Sequence, residues 1–159
     1  MHKWLTVLLV VGLVLCISSV HFMVFHYLTT TQGIRDFDFS FLEVGREDSD
    51  LTAVVRFYNE SPYYINVEES RFDLYVSDKI VQGGNRAEQE IYAVPPNGQR
   101  DLEIGFSPRP NTPADRLLEN VREEGFEWSL RVRYWIHIPM WDYALYRQER
   151  KTLETLGGG

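Results

Sequence analysis

The sequence has few of the residues on which many activities depend. It contains a single cysteine, so it cannot form an internal disulfide, and no Cys/His cluster has the spacing of a zinc site. Nucleotide-binding, serine-hydrolase and zinc-protease motifs (G-x-x-x-x-G-K, G-x-S-x-G and H-E-x-x-H) are absent. Basic residues are also fewer than acidic ones: 16 Lys and Arg and 23 Asp and Glu give a net charge of -7. Such an acidic chain is not suited to binding the phosphates of a nucleic acid. We therefore expect no catalytic site, no cofactor and no metal.

One apolar segment near the start of the chain is long enough to cross a membrane. Residues 4–28 contain no Lys, Arg, Asp or Glu, and these 25 residues would form a helix of about 37 Å, against ~30 Å for the hydrocarbon core. A cleaved signal peptide has a shorter apolar region that ends at a small-residue site, whereas here residues 20–25 continue the span. The segment therefore predicts an uncleaved single-pass anchor in the lipid bilayer, preceded by a short end (1–3) and followed by a linker (29–33).

The distribution of charge predicts the orientation of this anchor. Lys3 precedes the span, whereas residues 29–159 carry 15 basic and 23 acidic residues and a net charge of -8. Positive charge tends to stay inside, so we expect a cytoplasmic amino terminus and an extracytoplasmic domain. His21 and His26 lie within the span, five residues and therefore about 140° apart around a helix, so they cannot converge on one ligand. We interpret them as neutral side chains near the outer interface, with contact to another membrane subunit as the alternative.

From Ile34 onward the sequence alternates between apolar and polar residues, which is typical of half-buried strands. The alternating segments are residues 37–41, 51–58, 71–76, 102–106 and 128–137. A final strand, 144–153, is polar enough to lie at an edge. Seven or eight short strands predict an all-β fold, an antiparallel β-sandwich over residues 34–154, followed by a flexible tail at 155–159.

Turn-forming and capping residues divide these segments. Residues 83–85 (Gly-Gly-Asn) indicate a turn, and residues 95–98 (Pro-Pro-Asn-Gly) are the strongest hairpin signal in the chain. One short helix is expected between two strands, because Thr112 can cap it, Pro113 suits its first turn and Gly125 can end it.

Two stretches together resemble a known domain family. The stretches FYNESPYYINVEESRFDLYVSDKIVQGG and IYAVPPNGQRDLEIGFSP resemble the late embryogenesis abundant group-two, or WHy (water stress and hypersensitive response), domain over residues 34–153. The residues that carry the resemblance are Asn59, Pro62, Tyr63, Tyr75, Pro96 and Gly98. The resemblance implies a small β-sandwich, often membrane-anchored, with no catalytic residues to carry over and with a link to desiccation and stress tolerance. A fold does not by itself fix a function.

A loop between the last two predicted strands is a candidate contact surface. Met140, Trp141 and Tyr143 place three large side chains at a hairpin tip, where polar residues are usual. Such side chains can contact a partner or the membrane interface, or they can fold back onto the end of the sandwich. Both interpretations stay open.

Asn59 begins a glycosylation sequon, Asn-Glu-Ser, in a turn that we expect to be exposed. Pro62 directly follows the sequon and usually hinders glycan transfer. Asn59 is therefore a candidate modification site.

His137 shares a predicted strand face with Arg131, Arg133 and Trp135, which we interpret as a solvated face with arginines stacked on aromatic rings.

These features favour a non-catalytic, membrane-anchored extracytoplasmic binding or accessory protein. We expect other membrane or surface proteins as partners, in a larger complex, or a stress-related envelope role. One alternative is a calcium-dependent or enzymatic module that uses clustered carboxylates, since Ca²⁺ takes six to eight oxygen ligands. Those carboxylates are Asp36, Asp38, Glu47, Asp48 and Asp50. A second alternative is a pilin-like, filament-associated protein, although residues 1–3 lack the Gly or Ala of a pilin cleavage site.

Overall fold

A computed structural model describes residues 2–47, 50–86, 91–120, 126–139 and 143–153. A long helix is followed by strands and one short helix. In chain order the elements are α1 (His2–Arg35), β1 (Asp38–Glu47), β2 (Asp50–Asn59), β3 (Ile65–Val76), β4 (Lys79–Arg86), β5 (Ile91–Val94), β6 (Gly98–Phe106), α2 (Pro113–Asn120), β7 (Trp128–Ile138) and β8 (Tyr143–Thr152).

The strands form two antiparallel sheets, which confirms the predicted all-β sandwich. The three-stranded sheet has the order β1-β2-β6, and the five-stranded sheet has the order β4-β3-β7-β8. The fifth strand, β5, pairs with the first half of β3, while β4 pairs with its second half. The predicted last strand is confirmed as β8 and lies at an edge of its sheet.

The core lies between the sheets and contains the apolar residues of the alternating segments. In β2 every second residue from Leu51 to Asn59 is buried, as period-two patterning requires. Phe57 lies at the centre of an aromatic cluster, with ring centroids 5.5 Å from Tyr134 and 5.6 Å from Tyr92. Burial raises the pKa of both tyrosine phenols, because the charged form would lose its hydration.

The strongest predicted hairpin is wrong in one respect, because residues 95–98 connect the two sheets rather than two paired strands. They join β5 of the five-stranded sheet to β6 of the three-stranded sheet. Asn97 adopts a left-handed φ of 46°, and its N–H donates a 3.0 Å hydrogen bond to the carbonyl of Ser61. The residue types at 95–98 determine that the chain turns there. They do not determine which strands pair, because pairing depends on contacts in the rest of the two sheets.

The predicted linker at residues 29–33 is helical. Helix α1 continues without interruption from the apolar segment to Arg35, and Thr30, Gly33 and Ile34 are buried against the sandwich. Residues 29–33 contain three threonines and a glycine, which are poor helix formers by themselves. This last part of the helix is therefore stabilised by its tertiary contacts with the sandwich.

Helix α2 begins as expected. Its cap is confirmed, since the Thr112 hydroxyl accepts a 3.2 Å hydrogen bond from the Asp115 N–H, and Asp115 in turn accepts one from the Asn111 N–H at 2.6 Å. The predicted end at Gly125 lies outside the described residues.

Candidate functional site

Helix α1 exposes its apolar surface over most of its length. Over the described residues, Lys3–Arg35 is the one helix long and apolar enough to cross a membrane. The side chains from Trp4 to Leu28 pack against no other element, apart from the partly buried His26. In water such a surface would be strongly unfavourable, and its length and composition are consistent with a single-pass segment or a signal anchor.

The end of α1 packs closely against the loop that joins β2 to β3. A Cβ added to Gly33 would lie 2.2 Å from the Cβ of Ser61, so only glycine fits at this contact. Thr30 and Ile34 are buried beside it. We call the contact between the end of α1 and residues 59–64 the junction.

Asn59 organises the loop at the junction through five hydrogen bonds. Its Nδ2 donates to the carbonyls of Tyr63, Val94 and Pro95 at 2.7, 3.1 and 3.0 Å. Its Oδ1 accepts from the N–H and the hydroxyl of Ser61 at 2.9 and 2.7 Å. Asn59 is 1% exposed, which corrects our expectation of a sequon in an exposed turn. The nitrogen that would carry a glycan is buried and fully engaged, because the loop is folded around it.

The two histidines of α1 have different environments. His26 shares a hydrogen bond between its Nδ1 and the Tyr63 hydroxyl, and its ring packs edge-on against Phe22 with centroids 4.0 Å apart. His21 lies on the exposed surface of the helix. The structure does not bring the two side chains together, and it places His26 at the junction.

Arg147 of β8 holds the carboxyl end of α1. Its Nη2 donates to the carbonyls of Ile34 and Arg35 at 2.6 and 3.3 Å, and its Nη1 donates to the carbonyl of Phe37 at 2.6 Å. The last carbonyls of a helix have no partners within it and attract positive charge, so this guanidinium satisfies them and complements the helix dipole. The end of α1 is therefore held both by β8 and by the loop between β2 and β3.

The predicted contact loop connects strand ends on the same side of the sandwich as the junction. β7 ends at Ile138 opposite Tyr143, and His137 pairs with Asn66 at the beginning of β3. Met140 and Trp141, and the side chain of Tyr143, lie outside the described residues. Their role in contacting a partner stays a prediction.

The outer face of the five-stranded sheet carries a set of arginines that sequence reasoning identifies only in part. In the strand register Arg71 lies opposite both Arg86 and Arg133, and Arg131 lies opposite Arg150. Residues directly opposite each other point to the same side of a sheet. We call these five residues the arginine face.

Asp73 lies buried beneath this face and binds two of its arginines. Its carboxylate accepts hydrogen bonds from Arg131 Nε at 2.7 Å and from Arg133 Nη2 at 2.9 Å, and its side chain is 2% exposed. The hydrogen bond to Asp73 raises the pKa of the Arg131 guanidinium. A third donor is the Gly84 N–H at 2.6 Å.

The predicted turn at residues 83–85 is instead part of β4. A Cβ on Gly83 would lie 2.9 Å from the Asp73 carboxylate, and Gly84 has a positive φ of 75°. The two glycines are explained by the close approach of β4 to a buried carboxylate, rather than by a chain reversal.

Aromatic rings complete this face, as the pattern around His137 predicts. The guanidinium carbons of Arg131 and Arg150 lie 5.4 and 4.3 Å from the ring centroid of Tyr75. The rings of Trp135 and Tyr146 pack together at 5.4 Å. His137 Nδ1 lies 2.9 Å from a carboxylate oxygen of Glu68. These contacts make a partly exposed surface of cations and rings.

Two of the carboxylates proposed for calcium, Asp38 and Asp50, have other partners. Asp38 binds Lys151 Nζ at 2.7 Å, and Asp50 accepts a hydrogen bond from the Ser107 hydroxyl at 2.9 Å. Within the described ranges no three His, Cys, Asp or Glu side chains come together as metal ligands. Asp48 and the side chain of Glu47 lie outside those ranges.

Comparison with known proteins shows likeness in structure only. No family model and no curated protein sequence is significantly similar to this chain. A protein from Archaeoglobus fulgidus is 16% identical with a TM-score of 0.39, and the match covers 76% of this chain and 98% of that one. A protein described as belonging to the late embryogenesis abundant class is 14% identical with a TM-score of 0.47, covering 79% and 76%. A protein from Arabidopsis thaliana is 12% identical with a TM-score of 0.40, covering 73% and 76%.

Proposed function

We propose that the protein is a non-catalytic, single-pass membrane protein that presents an extracytoplasmic β-sandwich to other membrane or surface proteins as an accessory subunit. The observation that supports this most directly is the unbroken α1. Its exposed apolar part suits a bilayer, and its last two turns are packed into the sandwich by Gly33 and Arg147. A domain held at a membrane meets its partners at high effective concentration, so weak contacts suffice.

The charge distribution supports the orientation. Lys3 is the one basic side chain before the apolar segment, whereas the part that follows carries a net charge of -8. The orientation can be tested with single cysteines, since Cys16 is the only native one. In a Cys16→Ser background, Arg109→Cys should react with a membrane-impermeant maleimide on intact cells, and Lys3→Cys should react only after permeabilisation. The reverse labelling pattern would contradict the proposed orientation.

The accessory role is tested by mild detergent extraction of the full-length protein. We expect a stoichiometric set of membrane proteins to co-purify, and resistance of the protein itself to alkaline carbonate extraction. Recovery of the protein alone, from native membranes and after gentle cross-linking, would exclude an obligate subunit. Release by carbonate would exclude an integral anchor.

A further inference from the structure

The junction lies beside the end of the apolar part of α1. The side chains of Tyr63 and His26 share a hydrogen bond, and their ring centroids are 5.9 Å apart. His26 comes two residues before Leu28, the last residue of the apolar segment. The sandwich therefore reaches the part of the helix that the proposed anchoring places at the surface of the bilayer.

Helix geometry gives the depth of this contact under the proposed anchoring. A hydrocarbon core of ~30 Å takes up about 20 helical residues, so a span that begins at Trp4 leaves the hydrocarbon near Met23. The headgroup layer adds roughly 5–7 Å, or about four residues, and ends near Tyr27. His26 lies within this layer. A tilted helix would place more residues in the core, which brings His26 deeper rather than further out.

The sandwich is held at a fixed height above this layer. Helix α1 continues to Arg35, and Gly33 packs against Ser61 without room for a methyl group. Gly33 lies seven residues beyond His26, which is about 10 Å along the helix axis. Asn59 fixes the conformation of the loop through its five hydrogen bonds. The loop therefore occupies roughly the first 10 Å outside His26 and has no hinge that would lift it away.

The residues of this loop suit a lipid interface. Pro62 and Tyr64 are exposed, Tyr64 by 58%, and Tyr63 directs its hydroxyl to the helix. Tyrosine is enriched at membrane interfaces because its ring is apolar and its hydroxyl is polar. Glu60 is the one charged residue between Asn59 and Tyr64, and the polar headgroup layer can hydrate it.

The threonines of α1 at this height form hydrogen bonds within the helix. The hydroxyl of Thr29 donates to the carbonyl of Phe25 at 2.8 Å, and the hydroxyl of Thr31 donates to the carbonyl of Tyr27 at 2.9 Å. Such bonds satisfy a hydroxyl without water. This part of the helix is therefore compatible with contact to lipid.

We propose that the junction end of the sandwich rests in the headgroup layer of the bilayer that holds α1, with Pro62, Tyr63 and Tyr64 as its lipid-contacting residues. This inference rests on the proposed anchoring and adds a second membrane contact outside the span. The contact follows from depth alone and is the same for either orientation of α1.

The test measures the depth of single residues in the full-length protein, reconstituted into phosphatidylcholine vesicles. Single cysteines in the Cys16→Ser background carry an environment-sensitive fluorophore, and a nitroxide on the lipid headgroup quenches it on contact. We expect at least twofold quenching for Pro62→Cys and for Tyr64→Cys. The matched control is Arg109→Cys, which follows β6 at the opposite end of the sandwich and should not be quenched. All labelled variants should unfold at the temperature of the native protein, and each loop position checks the other.

A probe at Val20→Cys separates this proposal from the anchoring itself. Quenching of that probe by a nitroxide on the acyl chain would place the span in the bilayer. If Val20→Cys is quenched and the two loop probes are not, the lipid contact is overturned and the anchor stands. If Val20→Cys is not quenched, the anchor fails and the lipid contact with it. Quenching of Arg109→Cys as strong as that of the loop probes would mean that the whole domain adsorbs to the bilayer, which would also overturn the proposal.

Discussion

Gly33 of α1 lies directly against Ser61 of the loop between β2 and β3. A methyl group at Gly33 would come within 2.2 Å of the Ser61 Cβ and 3.1 Å of its Cα. The helix therefore approaches the sandwich more closely than any larger residue would allow. This contact, and the hydrogen bonds that surround it, join the end of α1 and the sandwich into a single structural unit.

We expect Gly33→Ala to destabilise the junction by about 1–3 kcal/mol, because a methyl group would overpack it. Gly12→Ala is the matched control, since a Cβ there would meet nothing within 4 Å. In a helix without tertiary contacts glycine-to-alanine is stabilising by about 1 kcal/mol, so the sign of the change distinguishes a docked helix end from a free one. Thermal unfolding in detergent, followed by near-ultraviolet circular dichroism, measures both variants. Stabilisation by Gly33→Ala would contradict the docking.

Arg147→Gln should release the end of the helix. The substitution removes the charged donor of hydrogen bonds to three carbonyls, each bond to a charged group contributing about 1.5–3 kcal/mol at most. We expect amide hydrogen exchange of residues 30–37 to accelerate at least tenfold, with the apolar part of α1 unchanged. Gln148→Ala, at the neighbouring exposed position, should leave exchange as in the native protein. Unchanged protection in Arg147→Gln would show that packing alone holds the helix.

Asn59 should carry no glycan. Its side-chain nitrogen donates three hydrogen bonds and is inaccessible to an enzyme. Gln99→Thr supplies the control, because it creates a new sequon that begins at the exposed Asn97 and ends at the substituted position. After expression in a glycosylating host, a glycosidase should shift the gel mobility of the Gln99→Thr variant and leave the native protein unchanged. A shift of the native protein that Asn59→Gln abolishes would mean that the sequon is modified before the loop folds.

Asp73→Asn should lower the free energy of unfolding more than any other substitution of a carboxylate by its amide. It leaves Arg131 and Arg133 without their buried counter-charge, and breaking a buried ion pair costs about 3–5 kcal/mol. The comparison is Asp101→Asn. Asp101 pairs with Arg56 on the exposed face of the other sheet, where the hydrogen bond lowers the pKa of its carboxyl. An exposed pair contributes about 1 kcal/mol or less. In urea unfolding, Asp73→Asn should lose clearly more stability than Asp101→Asn. Equal losses of stability would mean that Asp73 is solvated.

Glu149 should make stability depend on pH in the direction opposite to most carboxylates. Burial, and then the neighbouring Asp38, raise its pKa above the usual value of 4.5. The folded state therefore binds this proton more tightly than the unfolded state, and the stability falls as pH rises through the range above 4.5. Glu149→Gln should stabilise the protein at pH 7 by less than about 1 kcal/mol and should have no stabilising effect at pH 4. Glu103→Gln, at an exposed position of β6, is the control for the removal of one carboxylate, and urea unfolding at both pH values measures the two variants.

The sequence is sufficient to predict six of the eight described strands, because the burial of every second side chain is a local property, whereas β4 and β5 are missed. The segments 51–58 and 128–137 correspond to β2 and β7, and the polar character of 144–153 correctly places β8 at an edge. The apolar helix is equally clear from its length and lack of charge. In each case the signal is contained in a single continuous stretch of residues.

The features that sequence reasoning misses depend on contacts between distant residues. The turn at 95–98 is recognisable, but the choice of strand partners is not, because pairing depends on the whole sheet. The burial of Asn59 is hidden because its three carbonyl partners lie in the loop after β2 and at the end of β5, far apart in the sequence. Strand alternation alone makes Asp73 an ordinary outward-facing residue. The two arginines at alternate positions of β7 are the available clue, because a paired set of cations on one face requires an acidic counterpart nearby.

The continuity of α1 also has a mechanical consequence. Residues 29–33 are helical and provide no hinge, so under the proposed anchoring the sandwich would turn whenever α1 changed its tilt. Transmembrane helices tilt to match the thickness of their bilayer. For a strand 11 residues long, roughly 36 Å, a change of tilt of about 10° moves its far end sideways by about 6 Å. Under the proposed anchoring, the thickness of the surrounding lipid would become a variable that positions the domain.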